Sequence, residues 1–182
     1  MKIFVASDIH GSAYYCQKML EAFERSDCNK MLLLGDLLYH GPRNDLPRDY
    51  APKTVIALLS EYKDKILCVR GNCEAEVDQM VLPFPVLADY AVVVMSGVTV
   101  YATHGHTYTP DDPLPMGEGE IMLSGHTHIP HFIERDGRAF ANPGSVSIPK
   151  ENTPHSYMTV GEDGTVNWYT LDGEEFTPTK RA

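Results

Sequence analysis

The sequence predicts one α/β domain with two sheets and helices on the outside, and three observations carry that expectation. The chain has 182 residues, a length that suits one domain, which usually takes about 100–200. In its first half an apolar run, a polar loop and a helical stripe follow one another three times, the alternation of α/β layering. In its second half, strands rich in valine and tyrosine are joined by two hairpin turns.

The first strand is Lys2 to Ala6, which runs into the polar loop Ser7-Asp8-Ile9-His10-Gly11. Ser12 then reads as an N-cap. Tyr15, Met19, Ala22 and Phe23 follow at i, i+4, i+7 and i+8, on one helical face. A second apolar run, Met31 to Leu34, ends at Gly35-Asp36, and the segment from Tyr39 to Pro52, with three prolines, reads as a long loop. Val55, Leu58, Leu59 and Tyr62 mark the next helix. Ile66 to Val69 is a third strand closing at Gly71-Asn72, with a short helix expected around Glu74 to Met80.

Tyr90 to Met95 and Thr99 to Thr103 read as two strands around Ser96-Gly97. The charge-free stretch holding them, Tyr90 to Pro110, is broken by that turn and carries two histidines, so it does not read as a membrane span. Ile121 to Ser124 is a further strand. His131 to Glu134 and Arg138 to Ala141 flank Asp136-Gly137, a strong hairpin signal. Tyr157 to Val160 and Val166 to Leu171 flank a second turn at Glu162-Asp163-Gly164. No repeat, low-complexity tract or linker splits the chain, so residues 1–182 read as a single domain.

Composition narrows the function. Hydrophobic residues make up 43% and charged residues 22%, which excludes a disordered chain. Fifteen lysines and arginines against 25 aspartates and glutamates give a net charge of −10. Duplex nucleic acid is bound by neutralising phosphates with lysine and arginine, so a long nucleic acid is a poor expectation for this chain. Cys16, Cys28, Cys68 and Cys73 show no CxxC spacing, which excludes a zinc ribbon or a thioredoxin-like motif and suits reduced thiols in the cytoplasm. The apolar run Ile3 to Ala6 is too short for a signal peptide.

The chemistry gathers at strand ends. Asp8 and His10 follow the first strand, Asp36 the second, Asn72 the third, His104 the strand from Thr99, and His126 with His128 the strand from Ile121. Ligands of α/β sheets bind beyond the carboxyl ends of strands, so seven donor side chains converge on one rim. One tetrahedral zinc takes four ligands; seven suit two ions sharing a carboxylate, about 3.5–4 Å apart. Imidazole, carboxylate and amide favour Mn, Fe, Zn or Ni. Each residue alone has a plainer reading: a core histidine, a loop cap or a turn asparagine. Seven together do not.

Asp8-Ile9-His10-Gly11, Gly35-Asp36, Gly71-Asn72-Cys73-Glu74, Thr103-His104-Gly105-His106 and Ser124-Gly125-His126-Thr127-His128 resemble, in order and spacing, the five-block signature of the calcineurin-like metallophosphoesterases. His40-Gly41-Pro42-Arg43-Asn44 and the stretch from Asn142 to Lys150 are similar to the YfcE-like group of compact phosphodiesterases. The resemblance implies a four-layer α-β-β-α sandwich, two mixed sheets with outer helices and a dinuclear site at one edge. It implies that Asp8, His10 and His128 hold one ion, that Asn72, His104 and His126 hold the other, and that Asp36 bridges them. Where the wider superfamily has a histidine thought to assist catalysis, this chain has Cys73, as the YfcE-like group does.

These readings lead to a metal-dependent phosphodiesterase acting on a small phosphodiester. A hydroxide bridging two divalent ions, manganese foremost, attacks phosphorus in line. Asp36 and His104 act through the metals, and Cys73 either donates a proton near the leaving group or merely fills space. Arg43 and Asn44 either grip substrate or form a solvated loop, and His106 either hydrogen-bonds substrate or is solvated. A phosphomonoesterase at the same site is the alternative within enzymes. A non-catalytic scaffold of the same fold, like the retromer subunit of this superfamily, is the alternative outside them. Exposed sheet edges leave a homo-oligomer open.

Overall fold

The computed structural model describes residues 2–180. The first sheet runs in the order β11-β10-β9-β1-β2-β3. Its parallel half is β1 (Ile3–Ala6), β2 (Lys30–Leu33) and β3 (Ile66–Cys68), and its antiparallel half is β9 (Ser156–Val160), β10 (Val166–Thr170) and β11 (Glu175–Phe176). The second sheet runs in the order β12-β7-β8-β6-β5-β4. Its strands are β4 (Tyr90–Met95), β5 (Val98–Thr103), β6 (Ile121–Leu123), β7 (His131–Arg135), β8 (Arg138–Asn142) and β12 (Thr179–Lys180). The helices are α1 (Ala13–Arg25), α2 (Pro52–Ser60) and α3 (Glu76–Val81).

The two-residue period of a strand explains the layers. Along β1, Ile3 and Val5 point into the space between the sheets, where they meet Val98, Val100 and Ile121. Phe4 and Ala6 point the other way, into the core beneath α1 and α2 with Met19, Phe23, Val55 and Leu59. Ser12 caps α1 as expected, its hydroxyl accepting the Tyr15 N–H at 3.2 Å. The Asp136-Gly137 hairpin forms with both residues at positive φ, 51° and 70°, as a type I′ turn requires.

Helices α1 and α2 cover the first sheet. The outer face of the second carries Met122, Ile133 and Phe140, covered by Leu114 and Met116 of a loop. Three prolines (Pro110, Pro113, Pro115) and two glycines (Gly117, Gly119) lie between positions 110 and 119, and each of them disfavours a helix interior. The short strands β11 and β12, which sequence periodicity did not mark, extend the far edge of each sheet.

Phe4 is the best single probe of this packing. It is fully buried, stacked on Tyr157 at 4.3 Å between ring centroids and edge-on to Phe23 at 5.7 Å. Phe4→Ala should destabilise the fold by about 3–5 kcal/mol, read as a lower urea midpoint at unchanged slope.

Candidate metal centre

The seven residues singled out at the strand ends come together at one edge of the sandwich. Asp8, His10, Asp36, His104 and His128 are buried; His126 is half-buried and Asn72 exposed. The chain turns sharply to aim them. Asp8, His10, Asp36, His126 and His128 all have left-handed backbones, with φ between 49° and 66°. Such a conformation is costly for most residues but tolerated by Asp, Asn and His.

Overlapping groups of donor atoms result. Asp8, His10 and His128 offer ligand atoms all within 4.8 Å of one another, and so do Asp8, Asp36 and His104. Asp8 Oδ1 lies 3.1 Å from His128 Nε2 and 3.5 Å from His10 Nε2. Asp36 reaches both sides, with Oδ2 3.6 Å from His10 Nε2 and Oδ1 3.5 Å from His104 Nε2. Asn72 Oδ1 stands 3.1 Å from His104 Nε2. His126 stands further out, its ring 5.1 Å from that of His104, while its backbone N–H donates to Asp8 Oδ2.

The imidazole tautomers decide what this cluster can hold. His10 Nδ1 sits 2.8 Å from the Tyr39 carbonyl, His104 Nδ1 2.6 Å from that of Leu34, and His128 Nδ1 2.8 Å from that of Ile148. A carbonyl only accepts, so each Nδ1 carries the proton, and in its neutral form each ring turns a bare Nε2 inward. Nε2 of His10 and of His128 then face each other at 3.3 Å with two lone pairs and no proton between them. Asp8 Oδ1 is buried without a hydrogen-bond donor. Acceptors crowded in this way need a cation, and nitrogen and oxygen donors in this mixture suit a divalent metal.

Without a metal, protons answer the same crowding. Burial alone would raise the Asp8 carboxyl, but the imidazoles of His10 and His128 outweigh it and hold Asp8 well below the usual carboxylate range. Burial pulls His104 down, yet the charges of Asp36 and Asp8 push it up to about 9. His126 and His106 are lowered, first by burial and then by the charge of His104.

A family model of the calcineurin-like phosphoesterase superfamily domain matches residues 1–164. The chain belongs to that superfamily. It is 43% identical over 163 residues to Phosphodiesterase YfcE of Escherichia coli strain K12, covering 90% of this chain and 89% of the relative. The solved structure of Yfce, a phosphoesterase from E. coli, superposes with a TM-score of 0.94 at 40% identity, covering 98% of both chains. A novel archaeal phosphodiesterase shares the fold at a TM-score of 0.65 and 22% identity, covering 92% of this chain and 98% of that one.

Sequence reasoning on this phosphoesterase left the groups that hold the ligand loops in place without a role. Glu74 is buried beside Asp36, and its carboxylate accepts the N–H groups of Asp36 (2.8 Å), Leu37 (2.7 Å) and Gly71 (2.6 Å). It thereby ties the loop after β2 to the loop after β3. Burial and the charge of Asp36 raise its pKa, while the three N–H groups work against them. The close approach needs Gly71, where a Cβ would overlap Asp36 Oδ1. On the other side, the hydroxyls of Ser145 and Ser147 donate to the Asp8 carbonyl at 2.9 and 3.0 Å. Asn142 donates to the Gly125 carbonyl at 2.7 Å. The stretch from Asn142 to Lys150 is thus a brace for Asp8 and the His126-Thr127-His128 turn.

A cleft of about 430 Å³ opens over the cluster. Arg43, Asn44, Cys73, Thr127 and Lys150 line it beside His10, Asp36, Asn72, His126 and His128. Asn44 donates to the His40 carbonyl at 2.8 Å, so its amide holds the loop. Cys73 Sγ falls within 4.8 Å of donor atoms of His10 and Asp36. His106 is not in the cleft lining; its ring lies 5.4 Å from that of His104.

Glu74→Gln tests the brace. The amide presents a donor where the carboxylate accepts, leaving at least one buried N–H without a partner. The variant should lose about 1–3 kcal/mol of stability in urea denaturation and bind less metal by elemental analysis.

Proposed function

We propose that this protein is a dinuclear metal-dependent phosphodiesterase acting on a small phosphodiester. The observation that carries this reading is the cluster of acceptor-only atoms buried beneath an open cleft, in a chain 43% identical to Phosphodiesterase YfcE. Asp8, His10 and His128 would hold one ion and Asn72, His104 and His126 the other, with Asp36 between them. The reach of Asp36 to His10 on one side and His104 on the other supports that bridging place. Manganese is the expected metal, with zinc, iron or nickel as the other candidates for this donor set. When bound, such ions supply a nucleophile from water at neutral pH and neutralise charge on a phosphoryl group.

The protein's own side chains do the rest. Asp36 and His104 act as ligands, each held by a main-chain partner, the Cys73 N–H and the Leu34 carbonyl, so that its donor atom is fixed in advance. Arg43 binds a phosphate oxygen of the substrate from the loop that Asn44 stabilises. Burial and the charge of Asp36 push the Cys73 thiol up, and the charge of bound divalent ions would work against both and bring it towards the range in which a general acid functions. A protonated thiol is a poor nucleophile; this one serves as a proton donor beside the leaving group, and Asn72 Nδ2, 3.2 Å from Sγ, orients it. His106, packed against His104, steadies the ring on the second-ion side.

Strands β10 to β12 lie largely beyond the residues matched by the family, and they pair into both sheets. That pairing supports reading the whole chain as one domain. Among the described residues no helix is long and apolar enough to cross a membrane, and a cytoplasmic location fits the four free cysteines. Edge strand β4 turns Tyr90, Val92 and Val94 to solvent, which supports association between copies.

Chelation should abolish hydrolysis of bis(p-nitrophenyl) phosphate, and added manganese should restore it at least as well as magnesium. Hydrolysis that persists after metal removal would refute the reading. Asp36→Asn keeps the shape and removes the bridging charge. It should lose at least one ion and most activity, with an unchanged circular dichroism spectrum.

Cys73 separates diesterase from monoesterase chemistry. Cys73→Ser should spare esters with an activated aryl leaving group and impair those with alkoxide leaving groups, since general acid assistance is worth about 10²–10⁴-fold where it is needed. Cys73→His should raise monoesterase relative to diesterase activity. The measurement is kcat/KM for a matched mono- and diester at fixed manganese; equal ratios in all three proteins would reduce Cys73 to packing.

A further inference from the structure

Two cations line the metal cleft from different loops. Arg43 lies in the loop after β2, and Lys150 ends the brace that supports Asp8. Their backbones are fixed. The Lys150 N–H donates to the His128 carbonyl at 3.2 Å, and its own carbonyl accepts the N–H and hydroxyl of Thr153 at 3.1 and 2.7 Å. Beside Arg43, the Asn44 amide is anchored on the His40 carbonyl. Their charged heads are uncommitted: among the described residues, neither makes an ion pair or a side-chain hydrogen bond.

The charge balance of the cleft is unusual for this chain. The protein carries −10, yet the cleft lining holds two cations and one carboxylate, Asp36, which is committed to the metal cluster. A phosphodiester centre carries one negative charge, and divalent ions held by the ligand cluster would already answer it. Two further cations at the walls match more anion than the scissile group possesses. The pairing also has a chemistry: a guanidinium fork binds two phosphate oxygens, and an ammonium adds a mobile point charge.

We propose that Arg43 and Lys150 form a second anion subsite, so that the preferred substrates are phosphodiesters with a terminal phosphate monoester on one ester arm. This rests on the phosphodiesterase reading and specifies its substrate class. Arg43 then serves the distal phosphate in place of the scissile one.

A matched pair of substrates tests it: the p-nitrophenyl ester of thymidine 5′-phosphate, with and without a 3′-phosphate. Both release the same phenol, and they differ only in the distal group. With manganese-loaded wild type, the 3′-phosphorylated ester should show kcat/KM about tenfold higher or more, mostly through KM, as expected for charge-assisted contacts. Lys150→Met and Arg43→Met should each bring that ratio towards one, and Lys150→Arg should retain it. A wild-type ratio near one overturns the subsite. A ratio unchanged in both variants also overturns it, and if both esters then slow equally the cations serve the scissile phosphate. Hydrolysis of neither ester by wild type overturns the phosphodiesterase reading and this inference with it.

Discussion

Buried acceptor atoms that face one another without a donor between them are what the rest of this structure is arranged around. Asp8 has one oxygen satisfied by the His126 N–H, while the other meets only imidazole nitrogens. Left alone, such a cluster would drift apart or draw in protons, because a buried charge without a partner costs several kcal/mol. The surroundings prevent the drift. Backbone carbonyls lock three imidazoles by their outer nitrogens, Glu74 ties two loops together, and two serine hydroxyls hold the Asp8 carbonyl. The result is a set of donor atoms of defined charge and shape, suited to a divalent ion.

The sheets supply the stiffness that such a set of donors needs. Five ligand-bearing loops leave strands of the two sheets, and β1 and β2 are packed on both faces, with Val5 and Leu32 between the sheets and Phe4, Met31 and Leu33 beneath the helices. The sandwich therefore acts as a jig, and the loops need only be short. The longer loops, 39–51 and 107–120, do different work. One carries Arg43 to the cleft; the other replaces a helix over Met122 and Phe140.

Much of this was legible in the chain itself. Strand ends are marked by the change from apolar run to Asp, Asn or His beside glycine, so the seven convergent side chains could be read before any coordinates. What stayed hidden involves the main chain. The partners of Glu74 are N–H groups, which every residue has and which no residue type advertises. Ser145, Ser147 and Lys150 belong to a stretch visible by resemblance, but their tasks depend on where the Asp8 and His128 carbonyls point. Strands β11 and β12 have two residues each, too few to display a period. The loop over the second sheet shows only as prolines and glycines, which forbid a helix without saying what the segment covers.

The left-handed backbone at Asp8, His10, Asp36, His126 and His128 constrains how this centre can evolve. Asp, Asn and His occupy that conformation several-fold more readily than other non-glycine residues, and all three are metal ligands. Exchanges among them alter hardness and charge around the ion while leaving the turn geometry undisturbed. A branched residue such as valine or threonine would remove the donor and distort the turn together. The turn geometry thus restricts the choice of residue at these five positions more narrowly than metal ligation alone would.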